Sequence, residues 1–140
     1  YTTLFRSKDI EFLPVEGVKV AITRIFNEIN QPEWNVVLIN SNTVPISKVF
    51  VTSKGYGFDH EEKEQKTSIL RHFFSELLPQ SHQLVEPITD EVFHLTNEYW
   101  VSYFIGEQIY DKKFIFVPDS ITEHNIIRIH QLDIEGVLHE

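Results

Sequence analysis

Histidine, glutamate and serine supply the groups that could do chemistry in this chain of 140 residues. Seven histidines stand among 21 acidic residues. His60-Glu61-Glu62 is one candidate ligand cluster for a metal, and His124, His130 and His139 with Glu123 and Glu140 form another. Neither has a metal-site spacing such as H-E-x-x-H on a helix, and a run of Glu and His in a loop is ordinarily a solvated face. Ser68 and His72 are four residues apart, which in a strand puts them on one face but out of bonding reach, and a serine nucleophile needs its base beside it. No G-x-S-x-G elbow occurs. Gly55-Tyr56-Gly57 lacks the following Lys-Ser or Lys-Thr of a phosphate-binding loop. With no cysteine there is no disulfide, thiol nucleophile or cysteine zinc site. No catalytic residue, metal or cofactor is therefore expected.

The charge balance bounds the partners. Twelve basic residues against 21 acidic ones give −9. A nucleic-acid groove needs a basic stripe to neutralise phosphates, and an anionic lipid surface selects basic segments, so neither is an expected partner. No apolar run approaches the ~20 residues of a membrane helix. Hydrophobic residues make up 41% and aromatic residues 13%, enough for a packed core. The expected setting is the cytoplasm.

Residues 1–7 (Tyr1 to Ser7) resemble the translation of a common sequencing adapter, so one domain is expected over 8–120 and a C-terminal tail over 121–140. From Gly17 the chain reads as short extended runs between turn signals. Val18, Val20 and Ile22 alternate with Lys19, Ala21 and Thr23. Asn27 to Pro32 is a turn. Trp34 to Ser41 is a second strand, with Trp34, Val36 and Leu38 on one face and Val37 and Ile39 on the other. Ile46 to Tyr56 is a third, with Val49 and Val51 opposite Phe50. Asp59 to Lys66 is a charged loop, expected to be the least ordered internal stretch. Ser68 to Phe74, Gln83 to Ile88, Tyr99 to Ile105 and Lys112 to Val117 complete seven strands, the last two forming a hairpin. A 3₁₀ turn is expected over Phe93 to Asn97, and a turn or short helix over 119–125.

Seven strands in about 100 residues predict an all-β, immunoglobulin or fibronectin III-like antiparallel sandwich with an extended tail. Tyr99 stands two residues before Val101, the position often held by cysteine on the sixth strand of such domains. Trp34 is then read as the core tryptophan of the third strand, in one sheet with 99–105 and 112–117.

The stretches Trp34 to Asn40, Val51 to Gly57, Asn97 to Tyr103 and Tyr110 to Pro118 resemble a small family of uncharacterised bacterial proteins, and the likeness covers nearly everything after Glu16. Its members often carry the label phenylalanyl-tRNA synthetase subunit alpha. Taken at that label, the resemblance implies a component or accessory of that synthetase. A class II synthetase core holds ATP with an arginine in an R-x-E context; Arg24, Arg71 and Arg128 each lack that context.

A strand with one wet face alternates apolar and polar residues. Strands 34–41, 99–105 and 112–117 do not: Val37, Ile39, Trp100, Phe104, Phe114 and Phe116 are read as a second apolar face. Covering such side chains is worth about 1.5–3 kcal/mol each. Two covers are open, the chain's own tail (Ile127, Ile129, Leu132, Ile134, Val137, Leu138) or a second copy or partner protein. Lys54 and Tyr56, flanked by Gly55 and Gly57, are read as a contact tip. The candidate interface is thus Val37, Ile39, Trp100, Phe104, Lys54 and Tyr56 on a non-catalytic protein acting through protein contact. A small-ligand binder is the remaining alternative.

Overall fold

The structure, a computed structural model, describes residues 12–140. The adapter-like segment lies outside the described residues. Ten strands follow in order: β1 (Val18–Phe26), β2 (Pro32–Asn40), β3 (Ile46–Phe58), β4 (Glu64–Lys66), β5 (Leu70–Leu77), β6 (Ser81–Ile88), β7 (Thr96–Ile105), β8 (Gln108–Phe116), β9 (Ile127–Ile129) and β10 (Ile134–His139). They form two antiparallel sheets packed as a sandwich. The first has the order β6-β2-β1-β10-β9; the second runs β5-β3-β7-β8, with β4 continuing the β5 edge along the far end of β3.

All seven runs expected from alternation are present, as β1, β2, β3, β5, β6, β7 and β8. Their exchange between layers is immunoglobulin-like: β1 and β2 form a hairpin in one sheet, β3 crosses to the other, β6 returns beside β2, and β7 crosses again to lie beside β3. The core fills the space between the layers with alternate residues of both, among them Val20, Ile22, Val36, Leu38, Val49, Val51, Tyr99, Val101, Tyr103 and Phe114. Burial pushes the phenols of Tyr99 and Tyr103 well above the ordinary tyrosine value, so both stay neutral.

Three placements correct the sequence reading. Residues 34–41 do not join 99–105 and 112–117 in one sheet. The tight turn at Asn27–Gln31, in which Asn27 Oδ1 accepts from the amides of Ile29 and Gln31, folds β2 back onto β1. Trp34 is therefore not the tryptophan of a third strand. It is half-buried at one end of β2, edge-on to Phe93 at 5.1 Å and beneath the Arg24 guanidinium. Phe114 and Phe116 point inward, because each is paired with an inward residue of β7, Tyr99 and Asn97 respectively.

Smaller elements differ too. The 3₁₀ turn falls at Asp90–Val92, before Phe93, and a second lies at Glu123–Asn125, within the segment expected to turn. The β7–β8 turn is tighter than expected: Gly106 and Glu107 alone join the strands, with Gly106 at φ 61°, the left-handed value glycine adopts freely. The charged loop is ordered. Asp59 Oδ1 accepts from the amides of Glu61 and Lys63, and Glu64–Lys66 then pairs with β3.

The tail is part of the fold. β10 pairs with β1 along five residues and β9 pairs with β10. A small second cluster on the outer side of this sheet joins Ala21, Val37 and Ile39 to Ile129, with Leu132 and Leu138 over it. Arg24 ties the tail down from β1, holding Glu123 at 2.7 Å and Glu135 at 3.2 Å. The Glu123 hydrogen bond and charge raise the arginine further and hold the Glu123 carboxyl below its ordinary range.

Candidate interaction face

Alternation on β3, β7 and β8 sends every second side chain outward, away from the core. On β3 these are Phe50, Thr52, Lys54, Tyr56 and Phe58. Their partners on β7 continue the same face: Thr52 lies opposite Trp100 and Lys54 opposite Glu98. On β8 the row ends with Lys113 opposite Trp100 and Ile115 opposite Glu98. On the other side β5 adds Arg71 opposite Thr52 and Phe73 opposite Phe50. A β-bulge at Lys48, φ 51°, lets that side chain reach over the Phe104 ring at 5.3 Å.

This face is unusually aromatic. Phe50 is 52% exposed, Phe73 54% and Trp100 44%. Phe50 and Phe73 touch across the strands with ring centroids 4.8 Å apart. Single exposed apolar residues are ordinary; several exposed rings on one face are less so. Cations stand over the rings: Lys113 lies 4.8 Å above Trp100 and Lys54 lies 5.6 Å from the Tyr56 ring.

Two acids of the face, Asp111 and Glu98, are engaged internally. Trp100 donates its Nε1–H to Asp111 at 2.6 Å. Glu98 is buried, accepts from the Tyr56 hydroxyl at 3.2 Å and lies 3.8 Å from Lys54 Nζ. Burial first, and then the Glu98 carboxylate, raise the Tyr56 phenol above its ordinary value. Beside this cluster a shallow depression of about 430 Å³ opens, bounded by Lys54, Tyr56, Phe58, Glu64, Lys66 and Ile69.

The six candidate residues therefore divide. Trp100, Phe104, Lys54 and Tyr56 share the outer face of the second sheet. Val37 and Ile39 lie in the other sheet, buried in the cluster that Ile129 of the tail completes. The tail is the cover there. Phe50, Phe73, Arg71 and Lys113 were not among the candidates. The signal for Phe50 was its alternation with Val49 and Val51; Phe73, in the run Phe73-Phe74, had none that distinguished it from its neighbour.

The candidate chemical groups are spread apart. His60 stacks on His94 at 5.8 Å, and His94 Nε2 lies 2.8 Å from Gln65 Oε1. Among the described residues no group of three or more His, Asp or Glu is placed to hold a metal ion. Ser68 and His72 are not hydrogen-bonded to one another. His72 Nε2 instead lies 2.6 Å from Glu86 Oε1, to which Ser53 also donates at 2.8 Å. The carboxylate sits between imidazole and hydroxyl, so this cluster bridges β5, β6 and β3 rather than arming a nucleophile. It borders a cleft of about 290 Å³ between the sheet edges, floored by Tyr99, Ile88 and Val92. No helix of the described residues is long and apolar enough to cross a membrane.

No known family model matches the chain, and no curated protein or solved structure is detectably similar to it.

Proposed function

We propose that this protein is a non-catalytic β-sandwich that acts through protein contact, and that the contact is made by the outer face of its second sheet. The observation that carries the reading is the exposure of Phe50, Phe73 and Trp100 side by side on one rigid face. Burying each against a partner is worth about 1.5–3 kcal/mol of transfer free energy. A scaffold of paired strands holds them in place, so little ordering entropy is spent on binding.

Phe50→Ser with Phe73→Ser tests the reading, since both side chains are half exposed and neither supports the core. The variant is expected to keep the wild-type melting profile. In affinity capture from native cells it is expected to lose a protein that the wild type retains. Identical recovery by both chains would overturn the proposal.

A second reading, small-ligand binding, draws on the cleft beside Ser53, Glu86 and Tyr99. A ligand seated there is expected to shift the Tyr99 ring signals in NMR and leave the outer face untouched.

A further inference from the structure

We infer that the partner of this face is an acidic protein surface that also carries apolar side chains. The inference rests on the contact reading above and adds the chemistry of the partner.

The chain has 21 acidic and 12 basic residues, yet its exposed aromatic face is where Lys48, Lys54, Lys66, Arg71 and Lys113 gather. Elsewhere among the described residues the basic side chains pair with the fold's own acids, except Lys112, which donates to the Glu140 carbonyl. Arg24 holds Glu123 and Glu135, and Arg128 holds Asp133 at 2.5 Å. Of the acids on this face, Glu98 is engaged by Lys54 and Tyr56 and Asp111 by Trp100, while Glu64, opposite Phe58, and Glu76, opposite Ser47, lie at its two ends. Among the described residues Lys48, Lys66, Arg71 and Lys113 form no ion pair. The central row Arg71–Thr52–Trp100–Lys113 therefore offers two cations beside an exposed ring and holds no carboxylate. Carboxylates of a partner would meet Arg71 and Lys113 on either side of the Phe50–Trp100 strip, and an apolar side chain would fit the depression at Tyr56 and Phe58.

Two other occupants fit less well. A second copy centred on the row Arg71–Thr52–Trp100–Lys113 would set cation against cation there, which disfavours that pairing. Nucleic acid would be drawn to the lysines and stack on the rings, but the −9 charge of the whole chain opposes a polyanion at long range.

The test uses the full chain, isotope-labelled, and two short probe peptides. One is glutamates interrupted by leucine and phenylalanine; the other has lysine in place of each glutamate. The glutamate peptide, at millimolar concentration and low salt, is expected to shift the amides of Thr52, Trp100 and Lys113 and to leave β1 and β2 unmoved. Arg71→Glu with Lys113→Glu is expected to weaken that binding ~tenfold without altering the spectrum of the free protein. Equal binding of the lysine peptide would overturn the acidic partner while leaving the face a contact surface. Absence of shifts on the second sheet with the glutamate peptide would overturn it as well; the capture comparison above judges the contact reading separately. Shifts of these amides on concentrating the protein alone would assign the face to a second copy. Displacement of the glutamate peptide by single-stranded RNA at stoichiometric ratio would assign it to nucleic acid.

Discussion

Gly136 of β10 lies directly opposite Thr23 of β1, and the two backbones approach so closely that the position has no room for a side chain. A Cβ at Gly136 would sit 2.6 Å from the Ile22 carbonyl oxygen and 2.9 Å from Thr23 Cα. Both obstacles are backbone, so neither can swing aside. On the same strand pair the methyl end of Ile129 closes the space from the tail side, 3.0 Å from that point.

Gly136→Val is therefore expected to push β10 off β1. Overpacking of this kind destabilises by about 1–3 kcal/mol. The measurement is thermal unfolding together with binding of a hydrophobic dye. A lower melting temperature with increased dye fluorescence is expected, because Val37 and Ile39 lose their cover. An unchanged melting curve would show that the strands separate freely there.

Ile129→Ala probes the same cover from its other side. Ile129 is 1% exposed. Truncating a buried isoleucine to alanine costs about 2–5 kcal/mol, and the loss should appear as a lower urea midpoint with little change in slope.

Asn40 is fully buried and works as a knot between loops. Its Nδ2 donates to the carbonyls of Val44, Leu77 and Leu78, and its Oδ1 accepts from Asn42. Asn40→Leu removes this donor from all three carbonyls, of which that of Leu77 is buried. The expected destabilisation is about 1–3 kcal/mol, read by chemical denaturation. Asn40→Asp is expected to fare no better, since it replaces the donor with a charge facing three carbonyls.

His139 links the tail to pH. Its ring stands edge-on to Phe114 and Phe116, 5.2 and 5.7 Å away. Burial lowers its pKa below the ordinary 6.5, and the nearby Lys112 charge adds to this. The folded state thus binds the proton less readily than the unfolded one, so stability is full above pH 6.5 and falls as pH drops through the interval below it. Protection of the β10 amides, with the intrinsic pH dependence of exchange divided out, should fall over that interval in the wild type. His139→Gln should remove this component of the response.

Extended apolar runs between turn signals located all seven sandwich strands, and alternation such as Val18-x-Val20-x-Ile22 or Val49-x-Val51 marked the core side where it was present. Neither could say which strands share a sheet. Trp34 to Ser41 carries apolar residues on both faces, Val36 and Leu38 toward the core and Val37 and Ile39 toward the tail, and such a strand fits either layer. The choice was made by the turn at Asn27, a local hydrogen-bond pattern. The same two-sidedness hid the site. Val37 and Trp100 look alike in a sequence, each an apolar residue out of phase with its core neighbours. One is covered by Ile129 and the other is open, and only the path of residues 127–139 separates them. The pair of cations flanking Trp100 was equally illegible, since Arg71 and Lys113 come from two strands far apart in an acidic chain.

The partnership of β1 with β10 joins strands between which nearly all the rest of the sandwich is made. While the intervening segments emerge from a ribosome, β1 presents an unsatisfied edge and the Ala21–Val37–Ile39 patch stays wet. Closure of that loop is an entropic toll met late, after the other layer has its hairpins. A nascent chain stalled short of Ile134 would thus be a sticky half-finished object, and the window for mispairing with a neighbour shuts only when the final strand docks.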